Sequence, residues 1–310
     1  MKTFQGRTAV ITGAASGFGL ETARIAAREG MNVVMADVQA DALERAAEEI
    51  AKSANSATAV LPFRLDVSKA ADVEALAAAT VERFGAPHVV FNNAGVGAGG
   101  LIWEHSARDW EWVMGVNVMG VAHGVRVFTP LMLEAARADT AYEGCIVNTA
   151  SMAGLLNPPN MGVYNVSKHA VVSLAETLYQ DLALVTDQVT ASVLCPYFVP
   201  TGIHQSHRNR PREEAATKPT RSQRVAQAMT SKAVESGRVS AAQVAGLVFD
   251  ALRARRFYIY SHPKALAAVQ TRLEDIMLAR NPTDPFADKP EIGAELRAAL
   301  PACPTLKAVK

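Results

Sequence analysis

The residues Thr12-Gly13-Ala14-Ala15-Ser16-Gly17-Phe18-Gly19 lie between a β-rich run and a helical one, and they constrain what this 310-residue chain can become. Glycine turns the chain tightly and lets backbone approach a ligand, while the free N–H groups and positive end of the following helix (20–29) attract pyrophosphate. Gly13, Ser16, Gly17, Phe18 and Gly19 are therefore candidate cofactor contacts. No Lys-Ser/Thr pair follows the turn, as a nucleoside triphosphate loop would require. Asp37 ends the next β-rich run, at about the 20-residue distance where a carboxylate binds the adenosine ribose hydroxyls. Val38 and Gln39 after it carry no cation to hold a 2′-phosphate, and the turn carries none either, so NAD is expected over NADP, with Val38 at the same end of the cofactor.

Seven short β-rich segments, 8–13, 32–37, 58–67, 88–95, 145–151, 189–196 and 257–261, alternate with alanine-rich helical stretches. Their Val, Ile and Ala runs lack polar alternation, as strands of a parallel sheet covered on both faces should. Ser68 is expected to cap a helix whose Val73, Leu76, Thr80 and Phe84 recur at helical spacing, with Gly85 and Pro87 ending it. Lysine plus arginine number 31 against 30 acidic residues, which leaves no bulk field for nucleic acid or an anionic membrane. Cys145, Cys195 and Cys303 are too scattered for a CxxC site or a disulfide framework, and no metal is expected. With no apolar signal stretch at the start and no apolar run of about 18 residues, a cytoplasmic protein is expected.

Tyr164-Asn165-Val166-Ser167-Lys168 places a phenol and an ammonium one helical turn apart on one face. A unit charge about 4 Å away at an effective dielectric near 20 is worth roughly 4 kcal/mol, on the order of three pK units. Lys168, aided by a positive nicotinamide ring, is thus expected to bring Tyr164 toward neutral pH as a proton acceptor. Ser151 ends an expected strand, where ligands of open α/β sheets bind, and its hydroxyl can hold a substrate oxygen.

These motifs, in this order, resemble the short-chain dehydrogenase/reductase family over residues 4–265. The resemblance implies that Asp66-Val67 contacts adenine, that Asn92-Asn93-Ala94-Gly95 steadies the central sheet beside the cofactor, and that the Asn117 backbone holds a water linked to the lysine. Asn117, Ser151, Tyr164 and Lys168 would form the catalytic tetrad. After Pro196 the family's usual glycine is replaced by Tyr197, while Val199 and Thr201 still match carboxamide-binding positions. The implied fold is a doubly wound α/β Rossmann-type sheet of strand order 3-2-1-4-5-6-7, and the implied assembly a homodimer or homotetramer.

The expected organisation is one catalytic domain over 1–280 with a substrate lid near 202–237, then a Pro-rich tail over 281–310. The basic stretch 204–224, with five arginines and one lysine against two glutamates, reads as a solvated surface rather than a substrate-steering patch. Trp103, Trp110 and Trp112 read as packing, and His204 and His207 as loop residues. Met152, Leu155, Asn157, Met161, Tyr197 and Phe198, with Ser151, form a mainly apolar candidate substrate pocket suited to a secondary alcohol or ketone. The expected reaction is hydride transfer between NAD(H) and that substrate. A regulatory NAD-binding protein would not need Ser151, Tyr164 and Lys168 together, and a sugar-nucleotide epimerase or dehydratase would carry another glycine spacing.

Overall fold

Alternate residues of the central strands feed two apolar layers, and this pattern builds the molecule. In the computed structural model, which describes residues 1–53, 58–210 and 218–300, the chain runs β1 (Thr8–Thr12), α1 (Gly17–Arg28), β2 (Asn32–Asp37), α2 (Ala40–Ser53), β3 (Val60–Arg64) and α3 (Ala70–Phe84). It continues through β4 (Val89–Asn92), α4 (Ala107–Met114), α5 (Gly120–Ala138), β5 (Gly144–Thr149), α6 (Gly162–Val185) and β6 (Val189–Cys195). The last elements are α7 (Arg221–Glu235), α8 (Ala241–Ala254), β7 (Tyr258–Tyr260), α9 (Leu266–Met277) and α10 (Pro290–Ala299). The seven strands form one parallel sheet in the order β3-β2-β1-β4-β5-β6-β7, as the sequence predicts.

Ala9 and Ile11 of β1 pack with Ala23 of α1, Leu43 of α2 and Val248 of α8 on one face. Val10 points the other way, toward Leu76 of α3, Phe128 and Met132 of α5 and Leu178 of α6. The helical run Ala107–Ala138, which includes a π-helical turn at Gly115–Met119, is long and apolar enough to cross a membrane by length and composition. Here the α5 part of it lies on the sheet, with Val121, Gly124, Phe128 and Met132 buried.

Several boundaries differ from the sequence reading. The third strand covers only Val60–Arg64 and holds Pro62, tolerated because β3 is a sheet edge paired only with β2. Ser68 does not cap α3: its backbone N–H and hydroxyl both donate to Asp66 Oδ1, and Lys69 occupies the cap position. Gly85 does end that helix, at φ +73° with its N–H on the Val81 carbonyl. Within the expected tail, Pro290 opens the ten-residue helix α10, since proline at a first helical position loses no hydrogen bond. The prolines at 301 and 304 and Cys303 lie outside the described residues.

The segment expected as a lid contains a 3-10 stretch (Gly202–Asn209) and α7. It is fastened to the loop after β4: the Gly97 N–H donates to Ser206 Oγ at 2.8 Å and the Leu101 N–H to Ser222 Oγ at 3.0 Å. Arg210 pairs with Asp109 of α4 and lies over the Trp112 ring. The middle of the basic stretch, 211–217, lies outside the described residues.

Two helix glycines give a sharp test of this packing. A Cβ on Gly124 would stand 2.0 Å from Asn92 Oδ1, in an amide that donates to Asn148 Oδ1, whereas nothing lies within 4 Å of one on Gly246. Gly124→Ala is expected to lower stability by about 1–3 kcal/mol through overpacking, and Gly246→Ala to raise it by up to about 1 kcal/mol through helix propensity. Urea unfolding of both variants checks the opposite signs.

Candidate active site

The cleft forms at the carboxyl ends of β1 and β4, where the strand order reverses and neighbouring crossovers leave in opposite directions. Thr12 Oγ1 accepts the backbone N–H groups of Asn93 (2.9 Å) and Ala94 (3.1 Å), and Asn93 Nδ2 donates back to the Thr12 carbonyl at 3.0 Å. Thr149 at the end of β5 donates to Asn93 Oδ1, so this short segment ties three strand ends together. Gly13 adopts φ +65° in this join, and a Cβ there would stand 3.0 Å from Ala94 Cα. A Cβ on Gly19 would meet the Gly13 carbonyl oxygen at 2.2 Å, so the first turn of α1 can close on the strand only with glycine there.

A cavity of about 350 Å³ opens beside this join. Gly13, Ser16, Gly17, Phe18, Asp37 and Val38 line one stretch of it, and Asp66, Val67, Asn93, Ala94 and Gly95 a second. Tyr164, Lys168, Pro196 and Thr201 line the other end. Gly19 and Val199 stand behind the wall, Gly19 packed on the turn and the Val199 side chain 2% exposed within the core. The Asp37 carboxylate is fixed by the Ala15 and Gln39 N–H groups, each at 3.0 Å on a different oxygen, and each oxygen keeps a lone pair for a ribose hydroxyl. Open glycine backbone, a helix N-terminus without a side-chain cap and an anchored carboxylate fit a dinucleotide.

At the catalytic end, Lys168 Nζ donates to the Thr149 carbonyl at 2.9 Å and stands 5.7 Å from the centre of the Tyr164 ring. An ammonium has three donors, so two remain for a ribose. Ser151 has extended backbone, accepts the Ala153 N–H and donates to the Pro196 carbonyl. Its hydroxyl also favours the ionised form of the Tyr164 phenol. Asn117, in the π-helical turn, clamps Val96 through both its N–H and its carbonyl and donates to Ser167 Oγ at 3.0 Å. It therefore braces the post-β4 loop against α6, without lining the cavity.

Electrostatics correct one expectation. Burial pushes the Tyr164 phenol up, opposed by the Ser151 hydrogen bond, so the downward pull expected from Lys168 does not prevail. Burial also lowers Lys168 to about 8, against the favourable influence of the Cys195 thiol. Desolvation outweighs charge pairing because both groups lie inside the protein, with Tyr164 8% and Lys168 2% exposed.

The expected substrate wall needs correction as well. Met152 is fully buried among Val121, Val171 and Val172 and offers a ligand nothing, because its 3-10 turn aims the side chain into the core. Tyr197, 45% exposed, packs on Phe198 (4.6 Å) and His262 (5.8 Å) and does not line the cavity. Asn157 is exposed, and Leu155 packs partly into the same apolar cluster as Met152. Met161 is half-buried at a backbone bridge to Gly100, beside the post-β4 loop. Glu111, Trp112 and Arg208 line the cavity, although the sequence reading set Trp112 and the stretch of Arg208 aside and did not single out Glu111. They come from α4 and the 3-10 stretch 202–209, and only tertiary packing brings them to the glycine turn.

The match to known proteins is broad. The family described as short chain dehydrogenase matches residues 7–212. A CLA biosynthesis dehydrogenase/reductase of Lactiplantibacillus plantarum is 33% identical over 89% of this chain and 95% of its own length. A 1-deoxy-11-beta-hydroxypentalenate dehydrogenase of Streptomyces exfoliatus is 36% identical over 88% of this chain and 89% of its own. A short chain dehydrogenase/reductase of Burkholderia phymatum, solved in complex with NAD, superposes with a TM-score of 0.88 at 54% identity, covering 93% of this chain and all (100%) of that one.

A charged lysine in so dry a place has a measurable cost. Lys168→Met is expected to abolish turnover yet raise stability at pH 7, by an amount on the order of 1–3 kcal/mol. The parent should recover that deficit between about pH 8 and the ordinary lysine value near 10.5, because there the folded state has shed a proton that the unfolded state still holds. Paired denaturation curves across that range test both the sign and the window. With its glycine turn, its Asp37 anchor and its Tyr164-Lys168 pair on one cleft, the chain belongs to the short-chain dehydrogenase/reductase family and is an oxidoreductase of alcohol and ketone groups.

Proposed function

We propose that this protein transfers hydride between NAD(H) and a secondary alcohol or ketone of mainly apolar character, with Tyr164 exchanging the hydroxyl proton. The observation that carries the reading is the continuity of the cavity, which joins the Asp37-anchored glycine turn to Tyr164 and Lys168. Asp37 favours NAD because its carboxylate, held by two backbone N–H groups, would repel a 2′-phosphate. The Burkholderia phymatum relative's complex with NAD supports the same choice. A substrate with hydrocarbon bulk is in keeping with the names of the two dehydrogenase relatives.

The bound nicotinamide supplies the hydride acceptor or donor. In the oxidation direction, Ser151 Oγ holds the substrate oxygen while Tyr164 Oη takes its proton. Lys168 favours the phenolate through its charge and holds the ribose with its spare donors. The lid, fastened over the cleft through Ser206 and Ser222, excludes water from the transfer. Helices α5 and α6 are the surfaces expected to form a homodimer or homotetramer.

A phenol held above its ordinary value stays protonated to higher pH, so the acid form that ketone reduction uses is populated and the phenolate that alcohol oxidation uses is scarce. Ketone reduction should hold its kcat/KM into the alkaline range, while alcohol oxidation should climb with pH. Tyr164→Phe should cut turnover by at least about 100-fold, the usual contribution of a positioned acid–base group, and leave NADH binding intact. A panel of alcohols and ketones followed by nicotinamide absorbance measures both, and full activity in the variant would refute the assignment. Asp37→Ala should shift the ratio of kcat/KM values toward NADP by about 10-fold or more, because it removes both the ribose contact and the repulsion. An unchanged ratio would refute the ribose role.

A further inference from the structure

Among the described residues, the cavity wall carries two cations, Lys168 and Arg208, and three carboxylates, Asp37, Asp66 and Glu111. A dinucleotide brings a diphosphate with two negative charges into that acidic surround. Lys168 does not answer it, since its Nζ stands beside Thr149 and Tyr164, away from the glycine turn. Arg208 stands elsewhere. It is the last residue but one of the 3-10 stretch Gly202–Asn209, and its Nη2 lies 2.7 Å from where a Cβ on Gly202 would be. The preceding residue, Thr201, has its Cγ2 3.4 Å from the Cβ position of Gly17, at the first turn of α1. The guanidinium is therefore one residue away from the contact between the lid and the glycine turn. Its Nη1 donates to Gln205 Oε1 at 2.9 Å, and a guanidinium has five N–H donors in a planar fork that matches two phosphate oxygens.

We propose that Arg208 is a cofactor-binding residue that clamps the dinucleotide diphosphate from the lid side, opposite the backbone N–H groups of the glycine turn. The proposal rests on the dinucleotide reading of the cleft and adds a contact that links lid position to the cofactor's phosphates. Charge-assisted, forked hydrogen bonds give the bound diphosphate a partner on each side, and the occupied cofactor then helps hold the lid stretch in place. The basic run that begins at His204 thereby has one member with a specific task, and Arg210 has another, its pairing with Asp109 on α4.

Fluorescence titration with NADH tests this, with ADP-ribose and adenosine as competing probes that respectively keep and lack the diphosphate. Arg208 is exposed, so Arg208→Gln removes no core packing. The variant is expected to bind NADH and ADP-ribose about 10-fold or more weakly, the size of a lost charge-assisted hydrogen bond, while adenosine affinity stays unchanged. Arg208→Lys should recover part of the loss, and added salt should weaken NADH binding less in Arg208→Gln than in the parent. Parent-like affinities for NADH and ADP-ribose in Arg208→Gln would overturn the proposal, as would an equal loss for adenosine, which would mark a general distortion of the cleft. Failure of the parent itself to bind NADH would instead overturn the dinucleotide reading and the clamp with it, a result distinct from either.

Discussion

The join between Thr12 and the Asn93-Ala94 segment is the constraint on which the rest of the site depends. One threonine hydroxyl accepts two backbone N–H groups from the neighbouring strand's exit, and the Asn93 amide donates in return. These bonds hold β1 and β4 at a fixed separation beyond the last ladder pairing, Ile11 with Phe91. The glycine turn then has one place to pass, and Gly13 and Gly19 are the residues without a side chain that let it pass there. On the other side, Asn117 clamps Val96 and reaches Ser167, which carries the same fixed geometry into the helix of Tyr164 and Lys168. The glycine turn and the helix of Tyr164 and Lys168 are thus set by one continuous hydrogen-bonded frame.

That frame places two titratable groups where water cannot help them. Burial raises the phenol and lowers the ammonium, so each is driven toward its neutral form before any cofactor arrives. A group poised in this way responds strongly to a new charge nearby, because the low-dielectric surroundings that destabilise it also amplify electrostatic interactions. Stability is given up locally for reactivity, and the compensation comes from the two apolar layers on the sheet.

Much of this was legible in the chain. Runs such as Asn32–Asp37 carry their strand in their composition, because a strand buried on both faces has nowhere to put polar residues. The turn at Gly13, the anchor at Asp37 and the Tyr164-Lys168 pair are local patterns and appear where local rules place them. What escaped depends on distance in the fold. Ser68 looks like a cap, but the nearby Asp66 carboxylate captures its hydroxyl. Met152 follows a site serine in sequence yet turns inward, because its backbone enters a 3-10 turn beneath α6. Arg208, Glu111 and Trp112 reach the cavity from the 3-10 stretch 202–209 and α4, and no periodicity announces that meeting. Pro290 lies in the stretch read as a Pro-rich tail, yet at a first helical position it begins a helix.

The most direct measurement is a crystal structure of the protein grown with NAD. The account predicts the adenosine ribose hydroxyls on Asp37, the diphosphate over the turn between Gly13 and Gly19, and the nicotinamide ring within reach of Tyr164 Oη with its ribose on Lys168 Nζ. A dinucleotide bound in the reverse direction, or seated so that its nicotinamide lies away from Tyr164, would contradict it.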